Sequence, residues 1–171
     1  MSAREFIPLS IAVLTVSDSR DEQTDKSGKL LVDRLQQAGH RLTEKRIVPD
    51  NSYAIRAVLS AWIVGQPQVI LTTGGTGVTG RDGTPEAIRP LLDKEISGFG
   101  EMFRVLSFET IGTSTMQSRA LAGVANGTYI FCLPGSSGAC AEAWDKLITH
   151  QLDYRTRPCN LVELMPRLLE K

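Results

Sequence analysis

Charge of one sign is missing from this sequence: nineteen Lys and Arg offset nineteen Asp and Glu. That balance excludes the global field that draws a protein onto nucleic acid or an anionic membrane, so any anion binding is local. Cysteine is scarce. Cys132, Cys140 and Cys159 form neither a CxxC pair nor an even disulfide framework, and a reducing, cytoplasmic compartment is expected. No apolar run reaches the ~18 residues a bilayer span needs, and residues 1–8 lack the basic start and apolar core of a signal peptide. The two histidines, His40 and His150, have no second His or Cys at ligand spacing, which argues against zinc. Repeats and low-complexity tracts are absent too. The 171 residues therefore read as one domain, with a short N-terminal extension (1–9) and a C-terminal tail (158–171).

What is present is a set of short apolar runs separated by helical patterns. Ile11 to Val16 reads as a buried strand emptying into Ser17, Asp18 and Ser19. A helix is expected from about Ser27, with Leu30, Leu31, Leu35 and Ala38 inward and Gly39 as its stop. Arg41 to Val48 reads as a second strand. Asp50, Asn51 and Ser52 then cap a helix carrying Ile55, Val58, Leu59, Trp62 and Ile63. Val69 to Leu71 is a third strand, and Thr84 and Pro85 are expected at N-cap and first helical position of the next helix. Helical patterning is expected over 99–108 and again over 116–124. A last strand, Thr128 to Leu133, precedes a helix over 139–152. Trp62 and Trp144 fall on apolar faces and are expected in the core. Strands alternating with helices predict a three-layer α/β sandwich with a mainly parallel central sheet. Ligands of such folds sit at the carboxyl ends of the strands.

Three loops should therefore meet: 17–20, 72–84 and 134–138. In the second, Gly74, Gly75 and Gly77 let backbone N–H groups approach an anion, and Thr72, Thr73 and Thr76 add hydroxyls. This is either a phosphate cradle or a tight strand-to-helix turn. GxxxxGK[ST] is absent, which excludes a Walker-type turn. Asp82, beside Arg81, is either a metal-binding carboxylate or a turn residue before Gly83. Asp50 is either a helix cap or a second such carboxylate. Pro134, Gly135 and Ser136 open another helix, where Ser136 either caps or meets an anion. Ser114, in the hydroxyl-rich stretch 112–115, has the same choice.

Together TTGGTG at 72–77, GRDGTPEA at 80–87 and LPGSSGA at 133–139 resemble the MoaB/MogA family of molybdenum cofactor biosynthesis proteins. LTVSDSR at 14–20, DKSG at 25–28 and VPDNSYAIR at 48–56 extend the likeness, and GFGEMFR at 98–104 with GTSTMQSRA at 112–120 favours the MoaB branch. The resemblance implies a molybdopterin-binding domain and Mg²⁺- and ATP-dependent adenylylation of molybdopterin, with a non-catalytic molybdopterin-binding scaffold as the alternative. It places catalytic and metal-binding roles on Asp50 and Asp82. Substrate and phosphate contacts fall on Ser17, Thr72, Gly74, Gly75, Thr76, Gly77, Ser114, Pro134, Gly135 and Ser136. It also implies assembly as a trimer or hexamer, with other proteins of the pathway as further partners.

Overall fold

A computed structural model describes residues 4–171. Six strands form one sheet: β1 (Ser10–Val16), β2 (Arg41–Val48), β3 (Val69–Thr73), β4 (Lys94–Glu95), β5 (Leu121–Ala125) and β6 (Thr128–Leu133), in the order β2-β1-β3-β6-β5-β4. The first four in that order are parallel, and β5 and β4 run antiparallel at one edge. The helices are α1 (Lys26–Gln37), α2 (Ser52–Gly65), α3 (Thr84–Ile88), α4 (Ser97–Ile111), α5 (Ser137–Ala143) and α6 (Thr149–Gln151). A π-helical turn, Trp144–Ile148, joins the last two.

Alternation along the strands sorts the core into two layers. Ile11, Val13 and Leu71 point to one face, where Leu31 and Leu35 of α1, Phe99 and Phe103 of α4, and Trp144 cover them. Ala12, Leu14 and Ile70 point to the other, beneath Ile55, Leu59 and Trp62 of α2 and Ile88 of α3. The period of two in a parallel strand buried on both sides thus produces the three layers. Trp62 and Trp144 both lie in the core, as expected. The tail is not loose: Val162 is buried and Leu161, Met165 and Leu168 pack beside it.

Two expectations are corrected. The stretch 116–124 is not helical: a 3₁₀ turn, Gly112–Gln117, gives way to β5, whose five residues are all buried. A short apolar run buried on both faces carries no period that separates strand from helix. Thr84 is not an N-cap either. Gly83 takes that position without a side-chain cap, so Thr84 is the first helical residue and Pro85 the second. One further detail differs: α2 is capped by Asn51, whose Oδ1 accepts from Tyr53 and Ala54 N–H at 3.0 Å each, leaving Asp50 free for other work.

Candidate functional site

The parallel strands place their carboxyl ends side by side, and the loops that follow meet at Gly74. Its N–H donates to Leu133 O at 3.0 Å, continuing the β3–β6 ladder one residue beyond the strands. Its φ is +101°, a backbone state that suits glycine. A Cβ placed there would stand 2.2 Å from Val16 O, and a Cβ on Gly135 would stand 3.3 Å from the Gly74 Cα. The ends of β1, β3 and β6 are therefore in van der Waals contact through bare backbone.

Clefts open on both sides of this junction. One, of about 330 Å³, is lined by Ser17, Arg20, Lys26, Ser27, Gly74, Gly75, Gly135 and Ser136 among others. The other, of about 390 Å³, is lined by Gly75, Thr76, Gly77, Asp82, Pro134, Gly135, Ser136 and apolar groups of α4 such as Phe103 and Ile111. Gly75, Gly135 and Ser136 belong to both. The first cleft presents two cationic side chains, hydroxyls and free backbone, which suit a phosphate; the second is half apolar, which suits a larger ring-bearing group.

Beneath the first cleft the hydroxyls are organised rather than scattered. Thr73 Oγ1 lies 3.1 Å from Ser27 Oγ, 2.9 Å from Pro134 O and 3.2 Å from Cys140 Sγ, tying β3 to α1 and α5. Ser17 Oγ accepts from the N–H groups of Ser19 and Arg20, and Ser136 Oγ accepts from Ala139 N–H as the cap of α5. Asp25, buried at the start of α1, takes Thr15 Oγ1 at 2.7 Å, Gly28 N–H at 3.0 Å and Lys45 Nζ at 2.9 Å.

The two acids reach the glycine-rich loop from different directions. Asp50 Oδ1 accepts from Gly83 N–H at 3.2 Å, and a Cβ on Gly75 would fall 2.7 Å from Asp50 Oδ2. Asp82 turns back on its own loop, accepting from Thr79 N–H at 2.9 Å and Thr79 Oγ1 at 2.6 Å, with its Oδ2 2.6 Å from a Cβ on Gly77. Their electrostatics differ accordingly. Burial lifts the Asp50 carboxyl above the ordinary carboxylate range, the Gly83 N–H pulls against that rise, and the charges of Asp82 and Asp18 add to it. The Thr79 hydroxyl holds Asp82 below that range, against a smaller opposing effect of burial.

Two residues that sequence reasoning gave no role hold the loops together. Asp18 accepts from Asp50 N–H at 3.0 Å and from Arg81 Nη2 at 2.6 Å, so one carboxylate joins the loops after β1, β2 and β3. Arg119 donates to Gly77 O and to Asp82 O at 2.8 Å each, and pairs with Glu86. No local signal marks either, because their partners lie 32 to 63 residues away for Asp18 and 33 to 42 for Arg119. Of the residues expected at the site, Ser17, Gly74 to Gly77, Asp82, Pro134, Gly135 and Ser136 line the two clefts. Asp50 adjoins them through Gly75. Thr72 is fully buried inside β3, and Ser114 lies exposed on the 3₁₀ turn, outside the lining of either cleft.

Among the described residues no three His, Cys, Asp or Glu side chains gather into a metal cluster. A divalent ion beside Asp50 and Asp82 would complete its shell with water and phosphate oxygens, as Mg²⁺ prefers. The donor set fits that ion: oxygen only, and negative charge around Asp50 that a cation would offset.

Fold and site together define a three-layer α/β domain with a glycine-rich, backbone-lined cleft and flanking carboxylates at its strand ends. Residues 12–154 match the family described as "Probable molybdopterin binding domain", and the chain belongs to it. It is 60% identical over 157 residues to molybdenum cofactor biosynthesis protein B of Escherichia coli K12, covering 91% of this chain and 92% of that one. A crystal structure of a molybdenum cofactor biosynthesis protein B superposes with a TM-score of 0.81 at 45% identity, covering 89% of this chain and 94% of that one. The tungsten cofactor synthesizing protein MoaB of Pyrococcus furiosus superposes with a TM-score of 0.76 at 38% identity, with 84% and 92% covered. These relatives bear out the MoaB/MogA resemblance on its MoaB side. No helix among the described residues is long and apolar enough to cross a membrane.

Proposed function

We propose that this protein acts in molybdenum cofactor biosynthesis by joining AMP from ATP to the terminal phosphate of molybdopterin, with release of pyrophosphate. The observation that carries the reading is that Asp50 and Asp82, 32 residues apart in sequence, both border the glycine-rich loop, Asp50 at Gly75 and Asp82 at Gly77. The names of the relatives support the pathway. The pterin phosphate attacks the α-phosphorus of ATP in line, the bond to the β-phosphate oxygen breaks, and no protein nucleophile is needed. Two polyanions must approach each other, so neutralising charge and fixing geometry is most of the catalytic work.

This chain's residues divide that work. N–H groups of Gly75, Thr76 and Gly77 hold phosphate oxygens, and the Ser17 and Ser136 hydroxyls turn from their backbone partners to the ligand. Arg20 and Lys26 supply positive charge in the polar cleft, while the half-apolar cleft beside Phe103 takes the larger ring-bearing end of a substrate. Asp50 and Asp82 would hold Mg²⁺, which when bound neutralises the nucleotide phosphates. Self-association as a trimer or hexamer belongs to the same reading: Met102, Val105, Phe108 and Ile111 leave an apolar stripe of α4 more than half exposed.

The test is direct. ATP, Mg²⁺ and molybdopterin together yield pyrophosphate, and neither substrate alone does. Asp82→Asn folds but turns over 10²- to 10³-fold more slowly, the size expected when a single catalytic group worth ~3–4 kcal/mol is lost. Unchanged pyrophosphate release in that variant removes Asp82 from the mechanism. Pterin binding without pyrophosphate makes the protein a molybdopterin-binding scaffold instead.

A further inference from the structure

Thr84 has a hydroxyl that nothing in the fold explains. The residue is fully buried, and its Oγ1 has no hydrogen-bond partner among the described residues. Leaving a hydroxyl dry and unpaired costs about 1–3 kcal/mol, and such an atom in a native protein calls for a ligand, a water or a function. A merely structural residue at the first turn of α3 has no use for this group. The backbone of Thr84 already does the structural work by donating its N–H to Gly75 O at 3.0 Å.

Its position is specific. A Cβ on Gly75 would stand 2.2 Å from Thr84 Oγ1 and 2.7 Å from Asp50 Oδ2, so the hydroxyl and that carboxylate oxygen converge on the same bare face of the glycine. The φ of Gly75 is +67°, and the missing side chain is what leaves room for both oxygens. The other oxygen of Asp50 is taken by the neighbouring Gly83 N–H at 3.2 Å. Asp50 Oδ2 and the unpaired Thr84 hydroxyl thus share the small space over Gly75.

We propose that Thr84 is a further positioning residue of this site: its hydroxyl donates to Asp50 Oδ2 when a divalent cation and nucleotide occupy the cleft, fixing the carboxylate as a cation ligand. The assignment rests on the reading of Asp50 as a metal-binding group in the proposed transferase. Carboxylates that ligate metals are themselves hydrogen-bonded, and losing such an outer partner typically costs about 10- to 100-fold in metal affinity or activity. Thr84 touches neither the ion nor the substrate; it acts through Asp50.

The experiment titrates the full-length protein with Mn²⁺, alone and with ATP, and follows free Mn²⁺ by electron paramagnetic resonance; thermal melting is recorded alongside. Thr84→Ser, which keeps the hydroxyl, binds Mn²⁺ as wild type does. Thr84→Val, which keeps the shape, binds about tenfold more weakly while melting no lower than wild type, because only an unpaired hydroxyl has been removed. Asp50→Asn is weakened as well. Wild-type affinity in Thr84→Val overturns the assignment, and so does wild-type affinity in Asp50→Asn. So does a Thr84→Val defect that Thr84→Ser shares. If wild type shows the expected Mn²⁺ pattern yet releases no pyrophosphate from ATP and molybdopterin, adenylylation fails and the role of Thr84 stands.

Discussion

Replacing Gly74 with alanine tests whether the strand ends meet as described. The backbone at 74 has φ of +101°, and an L-residue forced left of its allowed regions costs ~1–2 kcal/mol. The added methyl also starts 2.2 Å from Val16 O, a main-chain atom at the end of β1 where Val16 pairs with Val48 of β2, and it cannot rotate away. Relieving that clash means moving the end of β1 or of β3, and overpacking of this kind costs ~1–3 kcal/mol. The combined penalty is about 3 kcal/mol, which at ~2–4 °C per kcal/mol for a chain of this size lowers the melting temperature by about 10 °C. Gly80→Ala is the control, since a Cβ there meets nothing within 4 Å, and its melting temperature is expected within about 2 °C of wild type. Both are read by thermal denaturation followed by circular dichroism at one protein concentration. If Gly74→Ala melts with the control, Val16 O does not lie over Gly74 and the convergence of the loops is wrong.

Other perturbations reach different parts of the same assembly. Arg119→Met frees the carbonyls of Gly77 and Asp82; amide hydrogen exchange in 76–86 is expected to speed while β1 and β3 stay protected, and unchanged exchange there would show that the clamp is idle. Asp50 has a folded-state pKa above its unfolded value, so its ionised form opposes folding. That cost is present at neutral pH and disappears as pH falls below the unfolded value near 3.8. Asp50→Asn therefore melts higher than wild type at pH 7, with the gap closing by about pH 3.5; a gap that widens in acid contradicts the sign. Burial pushes the Cys132 thiol up to about 12 and Cys140 to about 11, while Cys159 is exposed. A disulfide reagent is expected to titrate one thiol in the native protein and three in denaturant, so rapid loss of more than one would refute the burial of the other two.

The parts of this molecule legible in its sequence are those whose cause is local. Strands β1, β3 and β6 show as apolar runs, and α1 and α2 carry spaced apolar faces with good caps, so the layers and the three meeting loops follow from pattern and the strand-end rule. The glycine-rich loop is legible because its glycines and threonines are contiguous. Asp50 and Asp82 were ambiguous for a physical reason: an Asp just ahead of a helix serves as a cap, and an Asp before a Gly satisfies a turn, whether or not a ligand is near. What sequence hid is what depends on distant partners. Arg119 reads as a surface charge until Gly77 and Asp82 are brought to it. Thr84 reads as a cap, and only packing shows its hydroxyl to be buried and idle. The β4–β5 edge was missed because Leu121 to Ala125 is apolar on every residue and Lys94–Glu95 is two residues long.

The order β2-β1-β3-β6 has a consequence for how the protein is made. The wall supplied by Pro134, Gly135 and Ser136 leaves the ribosome after the glycine-rich loop and both carboxylates, and β6 must slot beside β3 before that wall has a place to stand. A nascent or truncated chain ending before Thr128 has its glycines and both carboxylates but no floor opposite them. The two clefts are thereby complete only in molecules that have completed their sheet.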